Sequence, residues 1–238
     1  MAPHLTRVVL ERRSVLQDHF HRIEHVYFIE RGVASLYART RADGPVEVAQ
    51  VGPFGFVGAA AVLGNTRSPH RCLMHVAGEA LRIGVPELLD AMDASPTIRH
   101  HLLAYVHALL VQNAQVALCN GRHDVKQRLC RWLLLAADRL DDTVIPITHD
   151  MLSMNLGVRR AGITKLLGQL QKSGVIAMGR ASCEIVDRAA LERRACECHG
   201  IISAEFRRLN ARGSHAHELD ERAPARRDPA VVSSGVGE

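Results

Sequence analysis

The hydrophobic positions change period near residue 85. Before it, strand-like runs fall at residues 26–29, 33–38, 46–51, 70–76 and 79–83, and Val46–Val51 alternates apolar with polar. Alternation of this kind marks half-buried strands. Glu30-Arg31-Gly32, Asp43-Gly44-Pro45 and Gly52-Pro53-Phe54-Gly55 separate them, the first reading as a hairpin around Gly32. Short strands at this spacing predict an antiparallel barrel or jelly roll. After residue 85 the period becomes helical. Pro86 opens a short helix and Ser95-Pro96 a long one, broken at Asn120-Gly121. Within the long helix Leu102, Val106, Leu109, Asn113 and Val116 recur in steps of four and three. That is a coiled-coil seam with one polar member, so the helix is expected to pair two copies of the chain. Asp124 caps a further helix, with Leu129, Trp132, Leu133, Leu135 and Ala136 inside and Lys126, Arg128, Arg131 and Arg139 outside.

Residues 148–176 carry the most specific pattern. Thr148 offers a hydroxyl N-cap to a helix holding Met151, Leu152 and Leu156, and Gly157 can take the positive φ that ends it. A second helix follows, with Val158, Ile163, Leu166, Leu167 and Leu170 on one stripe. Arg159, Arg160, Thr164, Lys165 and Gln169 lie on the other. Two helices across so short a turn, the second basic outside, form a helix-turn-helix, whose second helix enters the DNA major groove. Residues 175–186 read as a β-hairpin turning at Gly179-Arg180. A hairpin there is a wing, and Arg180 at its tip is placed to meet a phosphate.

The chain has 238 residues, formal net charge +5 and a pI near 9.1, which suits two modest domains and tolerates a polyanionic partner. No unbroken apolar run reaches about 18 residues, so no membrane span is expected. No signal-peptide pattern opens the chain, so a cytoplasmic location is expected. Six scattered cysteines are accordingly read as reduced thiols. From Ala211 the text turns polar and Pro-containing and reads as a disordered tail over 211–238. The expected fold class is α+β: a sensor barrel over 8–94, a dimerisation helix over 95–120 and a winged helix-turn-helix over 121–200.

That order of parts resembles the Crp/Fnr superfamily of bacterial transcription regulators. The resemblance spans about residues 8–200 and rests most on Ile147-Thr148-His149-Asp150, Gly157-Val158-Arg159-Arg160, Lys165-Leu166-Leu167 and Gly174-Val175-Ile176. Residues 120–135 and Ala195-Cys196-Glu197-Cys198 look like an alphaproteobacterial subgroup. The resemblance implies a cyclic-nucleotide-binding-like barrel, a homodimer on a near-palindromic duplex, and contact with RNA polymerase. It puts Arg160 and Lys165 at base-reading positions and Thr148 and His149 at phosphate-contacting ones. Ala161 stands where a glutamate commonly follows the arginine, so the family's best-known operator does not carry over.

The resemblance also supplies a test for a small-molecule ligand. Cyclic-nucleotide-binding members carry a glutamate for the ribose and an arginine for the phosphate. Here Ala59 replaces the glutamate, and Arg71, the one candidate effector contact, is followed by Cys72 and Leu73. Ribose hydroxyls left unpaired cost on the order of 1–3 kcal/mol each, so no response to cyclic AMP is expected. Cys196, Cys198 and His199 offer three ligands where a structural zinc normally wants four, so neither metal nor cofactor is expected. His70 and His75 fall on opposite faces of a strand, against a cupin-type metal enzyme, the alternative reading. No nucleophile or P-loop motif occurs, and no enzymatic activity is expected.

Overall fold

The computed structural model describes residues 2–41 and 44–221. Six strands form the first sheet: β1 (Thr6–Leu10), β2 (Val15–Gln17), β3 (His25–Ala38), β4 (Val46–Val51), β5 (Phe56–Val57) and β6 (Arg71–Gly84), with the short helix α1 (Ala59–Val62) between the last two. All pairings are antiparallel in the order β1-β6-β3-β4, with β2 beside β6 and β5 beside β3.

The hairpin expected at Gly32 does not form. β3 runs on through it for 14 residues, and β6 is likewise one strand of 14 residues. The register slips between Ile29 and Ala34, and Gly32 sits there at φ +84. A Cβ on Gly32 would lie 2.6 Å from the Val76 carbonyl, and one on Gly78 only 1.9 Å from that of Arg31. The turn-like residues therefore make a bulge in which two backbones touch, bending the sheet without ending the strand.

Inside the bend lie Val26, Ile29, Ala34, Met74, Ala80 and Ile83, closed off by Leu88 of α2 (Val85–Ala94) and by α3 (Pro96–Arg122). By length and composition alone α3 could cross a membrane. Its apolar residues instead serve the sheet: Leu102, Tyr105 and Val106 are buried in that core, and the Tyr105 ring packs 4.7 Å from Phe56. Two members of the expected seam, Leu102 and Val106, thus face their own protomer. The helix also continues through Asn120-Gly121 to Arg122.

Asp124 closes a capping box with Gln127 and starts α4 (Val125–Leu140). The second core gathers around α4: Leu129, Leu133 and Leu134 meet Ile145 of β7 (Val144–Ile145), Leu152 of α5 (His149–Leu156) and Ile163 and Leu167 of α6 (Arg160–Lys172). Strands β8 (Ile176–Gly179) and β9 (Ser182–Ile185) complete a sheet ordered β7-β9-β8. The wing turns at Arg180-Ala181, one residue beyond expectation, with Gly179 paired to Ser182.

After α7 (Arg188–Glu192) comes α8 (Cys198–Glu221), which packs on α3 and sets Phe206 6.1 Å from Tyr105. The disordered tail expected from Ala211 overlaps this helix, which runs to Glu221. Ala, Arg, Glu and Leu there favour helix. Residues 222–238 lie outside the described residues.

A buried carboxylate joins the two cores. Glu47 of β4 accepts from the Ser35 hydroxyl at 2.7 Å, the Trp132 indole at 2.6 Å and the Gln50 amide at 3.1 Å. Burial pushes its carboxyl up, against the pull of those three donors. Beside it, the Tyr37 hydroxyl donates to Asn155 Oδ1 at 2.9 Å. Gly157, at φ +64, ends α5 within reach of Val46, which a Cβ would approach to 3.1 Å. Replacing Trp132 by Phe removes a buried donor to Glu47 and is expected to cost roughly 1–3 kcal/mol in a urea titration. Gly157→Ala must hold a side chain in the left-handed region against Val46, and is expected to lose about 1–2 kcal/mol in the same assay.

Candidate nucleic-acid interface

α5 and α6 present one cationic surface. Thr148 accepts from the Met151 backbone N–H, fixing the first turn of α5. At the turn the Gly157 N–H donates to the Met154 carbonyl and the Val158 N–H to that of Ser153. The chain therefore enters α6 with Arg159 at the N-cap. Ile163, Leu167 and Leu170 are buried, which turns Arg159, Arg160, Thr164, Lys165 and Gln169 outward, all exposed. This is the division of faces expected from sequence.

His149 Nδ1 and the Thr164 hydroxyl share a hydrogen bond of 2.9 Å, locking α5 to α6 at the surface. The Arg160 guanidinium lies 3.2 Å from the Asp150 carboxylate, both side chains about two-thirds exposed. An exposed pair of this kind contributes about 0–1 kcal/mol, so it holds the arginine loosely. Arg180 is exposed at the wing tip.

Arg71 Nε lies 3.4 Å from Asp18, a half-exposed surface pair. Around α1, whose N-cap is Gly58, the residues are Ala59, Ala60, Ala61 and Val62, with no carboxylate to take a ribose.

The outward assignment of Arg131 is corrected: it is only 4% exposed. The reason is a side-chain cluster that sequence reading did not assemble. Cys119 and His123, one turn apart near the end of α3, meet Cys196 and Cys198 at the start of α8, all four ligand atoms within 4.8 Å of one another. The Cys119 and Cys196 thiols share a hydrogen bond of 3.5 Å, which lowers the pKa of Cys196, while burial raises that of Cys198. Arg131 supplies positive charge to this group. His199, once counted with the two cysteines, turns away to Asp138 at 2.9 Å. With Arg188 at 2.6 Å, it keeps that carboxyl down at about 2 although burial works the other way. The cluster is the one group of three or more potential metal ligands among the described residues, and it contains neither His70 nor His75.

Comparison with known proteins agrees with this arrangement. Residues 127–194 match the family described as the Crp-like helix-turn-helix domain. No curated protein sequence matches the chain significantly. Among solved structures, FixK2 of Bradyrhizobium japonicum is similar over 81% of this chain and 98% of its own, with TM-score 0.70 at 15% identity. CLP of Xanthomonas campestris, a c-di-GMP-responsive global regulator, matches over 77% and 94%, with TM-score 0.64 at 17% identity. A CRP/FNR-family transcriptional regulator of Thermus thermophilus matches over 80% and 98%, with TM-score 0.64 at 20% identity. Residues 127–194 thus match the Crp-like helix-turn-helix domain, and the chain shares the fold of solved Crp/Fnr-family proteins.

Proposed function

We propose that the protein is a dimeric, sequence-specific DNA-binding transcription regulator that does not answer to cyclic AMP. The observation that carries this reading is the outward row Arg159, Arg160, Thr164 and Lys165 on α6, inside a winged helix-turn-helix. In this reading α6 enters the major groove, Arg160 and Lys165 read base edges, and Thr148, His149 and Arg180 meet phosphates. A bidentate arginine–guanine pair contributes about 1–3 kcal/mol of discrimination. That exceeds the 0–1 kcal/mol of an exposed ion pair, so Arg160 leaves Asp150 for a base at little cost. The missing ribose carboxylate at Ala59 supports independence from cyclic AMP. The barrel then serves regulation rather than catalysis, and the operator-bound dimer acts on RNA polymerase inside the cell.

The dimer surface in this reading is not the seam expected from sequence. With Leu102 and Val106 buried, the apolar positions left outward on α3 are Leu103, Leu110 and Leu118, which are 42%, 61% and 48% exposed. They follow one another by roughly two turns of helix, a stripe fit to meet its own copy.

Selection of bound duplexes from a random pool should return near-palindromic sites with half-site centres about one helical turn apart, roughly 34 Å. Binding should weaken steeply with salt. Arg160→Ala with Lys165→Ala should relax the sequence preference, and a preference left intact would remove the site assignment. Leu110→Glu should give a monomer by sedimentation and lose binding to the palindrome. A variant that stays dimeric would place the interface elsewhere.

A further inference from the structure

We infer that Cys119, His123, Cys196 and Cys198 form a tetrahedral site for one thiophilic divalent cation, of which zinc fits best, bracing the junction between α3, α4 and α8. The inference is independent of the DNA-binding reading.

The ligand set comes from two places in the chain. Cys119 and His123 are four residues apart on α3 and so share a face. Cys196 and Cys198 flank one residue at the entry to α8. Neither pair alone completes a site, and the packing of α8 on α3 brings them together. The Cys119 and Cys196 sulfurs are 3.5 Å apart, and the Cys198 sulfur is 3.6 Å from His123 Nδ1. A tetrahedral zinc with Zn–S near 2.3 Å and Zn–N near 2.0 Å spaces its ligand atoms about 3.5–3.8 Å apart. These two separations match edges of a zinc coordination tetrahedron, and all four ligand atoms lie within 4.8 Å of one another. A cluster of two or four irons spreads four protein ligands over more than one iron atom and needs some of them further apart than one ion does.

The surroundings fit an ion as well as the ligands do. The three cysteines are buried, at 0%, 5% and 0% exposure for Cys119, Cys196 and Cys198. While Nδ1 of His123 faces the sulfurs, its Nε2 lies 3.5 Å from the Glu197 carboxylate. A carboxylate behind a ligating histidine fixes the ring and its tautomer. Three thiolates, one imidazole and a divalent ion carry net charge −1. Buried Arg131, whose Nε has no hydrogen-bond partner, stands beside them to offset it. Thiolate-rich sites of this shape select zinc over magnesium, calcium or manganese.

The position gives the ion a mechanical consequence. His123 is the C-cap of α3 and Asp124 the N-cap of α4. The ion would pin that bend to α8, which itself lies along α3.

The test is elemental analysis of the full-length chain purified from zinc-replete medium, expected to carry about one zinc per chain. Cys119→Ser and His123→Ala should each lose the metal. His123→Cys should keep it, since a fourth thiolate replaces the imidazole. Cys183→Ser, at a buried cysteine in the wing, should leave the stoichiometry unchanged. Glu197→Ala should weaken zinc affinity by roughly 10-fold in a chelator competition. Cobalt in place of zinc should give the intense visible absorption of a tetrahedral thiolate site. Wild-type protein without stoichiometric zinc, or with Cys119 and Cys196 joined as a disulfide, would overturn the proposal. So would bound iron with inorganic sulfide, or zinc retained by both Cys119→Ser and His123→Ala.

Discussion

The Glu47 carboxylate is the constraint from which the orientation of the helix-turn-helix follows. A buried carboxylate only accepts, and here it accepts from Ser35 and Gln50 in its own sheet and from Trp132 in α4. Separating α4 from the sheet would leave buried partners without mates on both sides, each costing about 1–3 kcal/mol. With α4 fixed, α5 is fixed too: Tyr37 reaches Asn155, and the Gly157 turn rests against Val46. α6 is then the helix with no sheet behind its polar side. Its cationic row faces solvent because the other side of the motif is spent on the docking contact.

The same division of labour governs α3. A helix of 27 residues has more apolar surface than one core can use. The sheet takes Leu102, Tyr105 and Val106, while α8 lies alongside. Leu103, Leu110 and Leu118 are the large apolar side chains left exposed on this helix. Heptad counting alone could not choose between the two stripes, because both recur at helical spacing. Burial distinguishes them: Leu102 and Val106 are packed against the sheet, while Leu103, Leu110 and Leu118 are exposed.

Legibility in the sequence tracked how local each determinant is. The helix-turn-helix was readable because its signals are neighbours: the Thr148 cap, the Gly157 turn and the buried row at Ile163, Leu167 and Leu170. The division of α6 into faces followed directly. Gly32 was misread because a glycine that ends a strand and one that bulges it look alike; the difference lies in Gly78 on the opposite strand. Arg131 was misread because its compensating thiols sit at residues 119 and 198. The four-ligand cluster was invisible for the same reason, since only the packing of α8 on α3 unites its halves. Counting ligands within one stretch finds zinc knuckles but not sites shared by two helices.

Three buried or half-buried polar groups therefore hold the junction between the N-terminal sheet and the helix-turn-helix. Glu47 binds the middle of α4 to the sheet. Asp138, near its end, takes Arg188, His199 and Ser203 from α7 and α8. The Cys119, His123, Cys196 and Cys198 group sits at its start. A ligand shifts a conformational equilibrium only by its difference in affinity for the two states. Inverting a 1:99 population takes about 5.5 kcal/mol. Breaking two of these three attachments at once would cost a comparable amount at about 1–3 kcal/mol for each polar group stranded. A signal that re-aims α6 must then either re-pair these groups as it moves them or act at one end of α4 and leave the other as the pivot. The second course is physically cheaper. It makes the bend at His123-Asp124, where α3 hands over to α4, the place where a small change in bonding would be converted into rotation of α6.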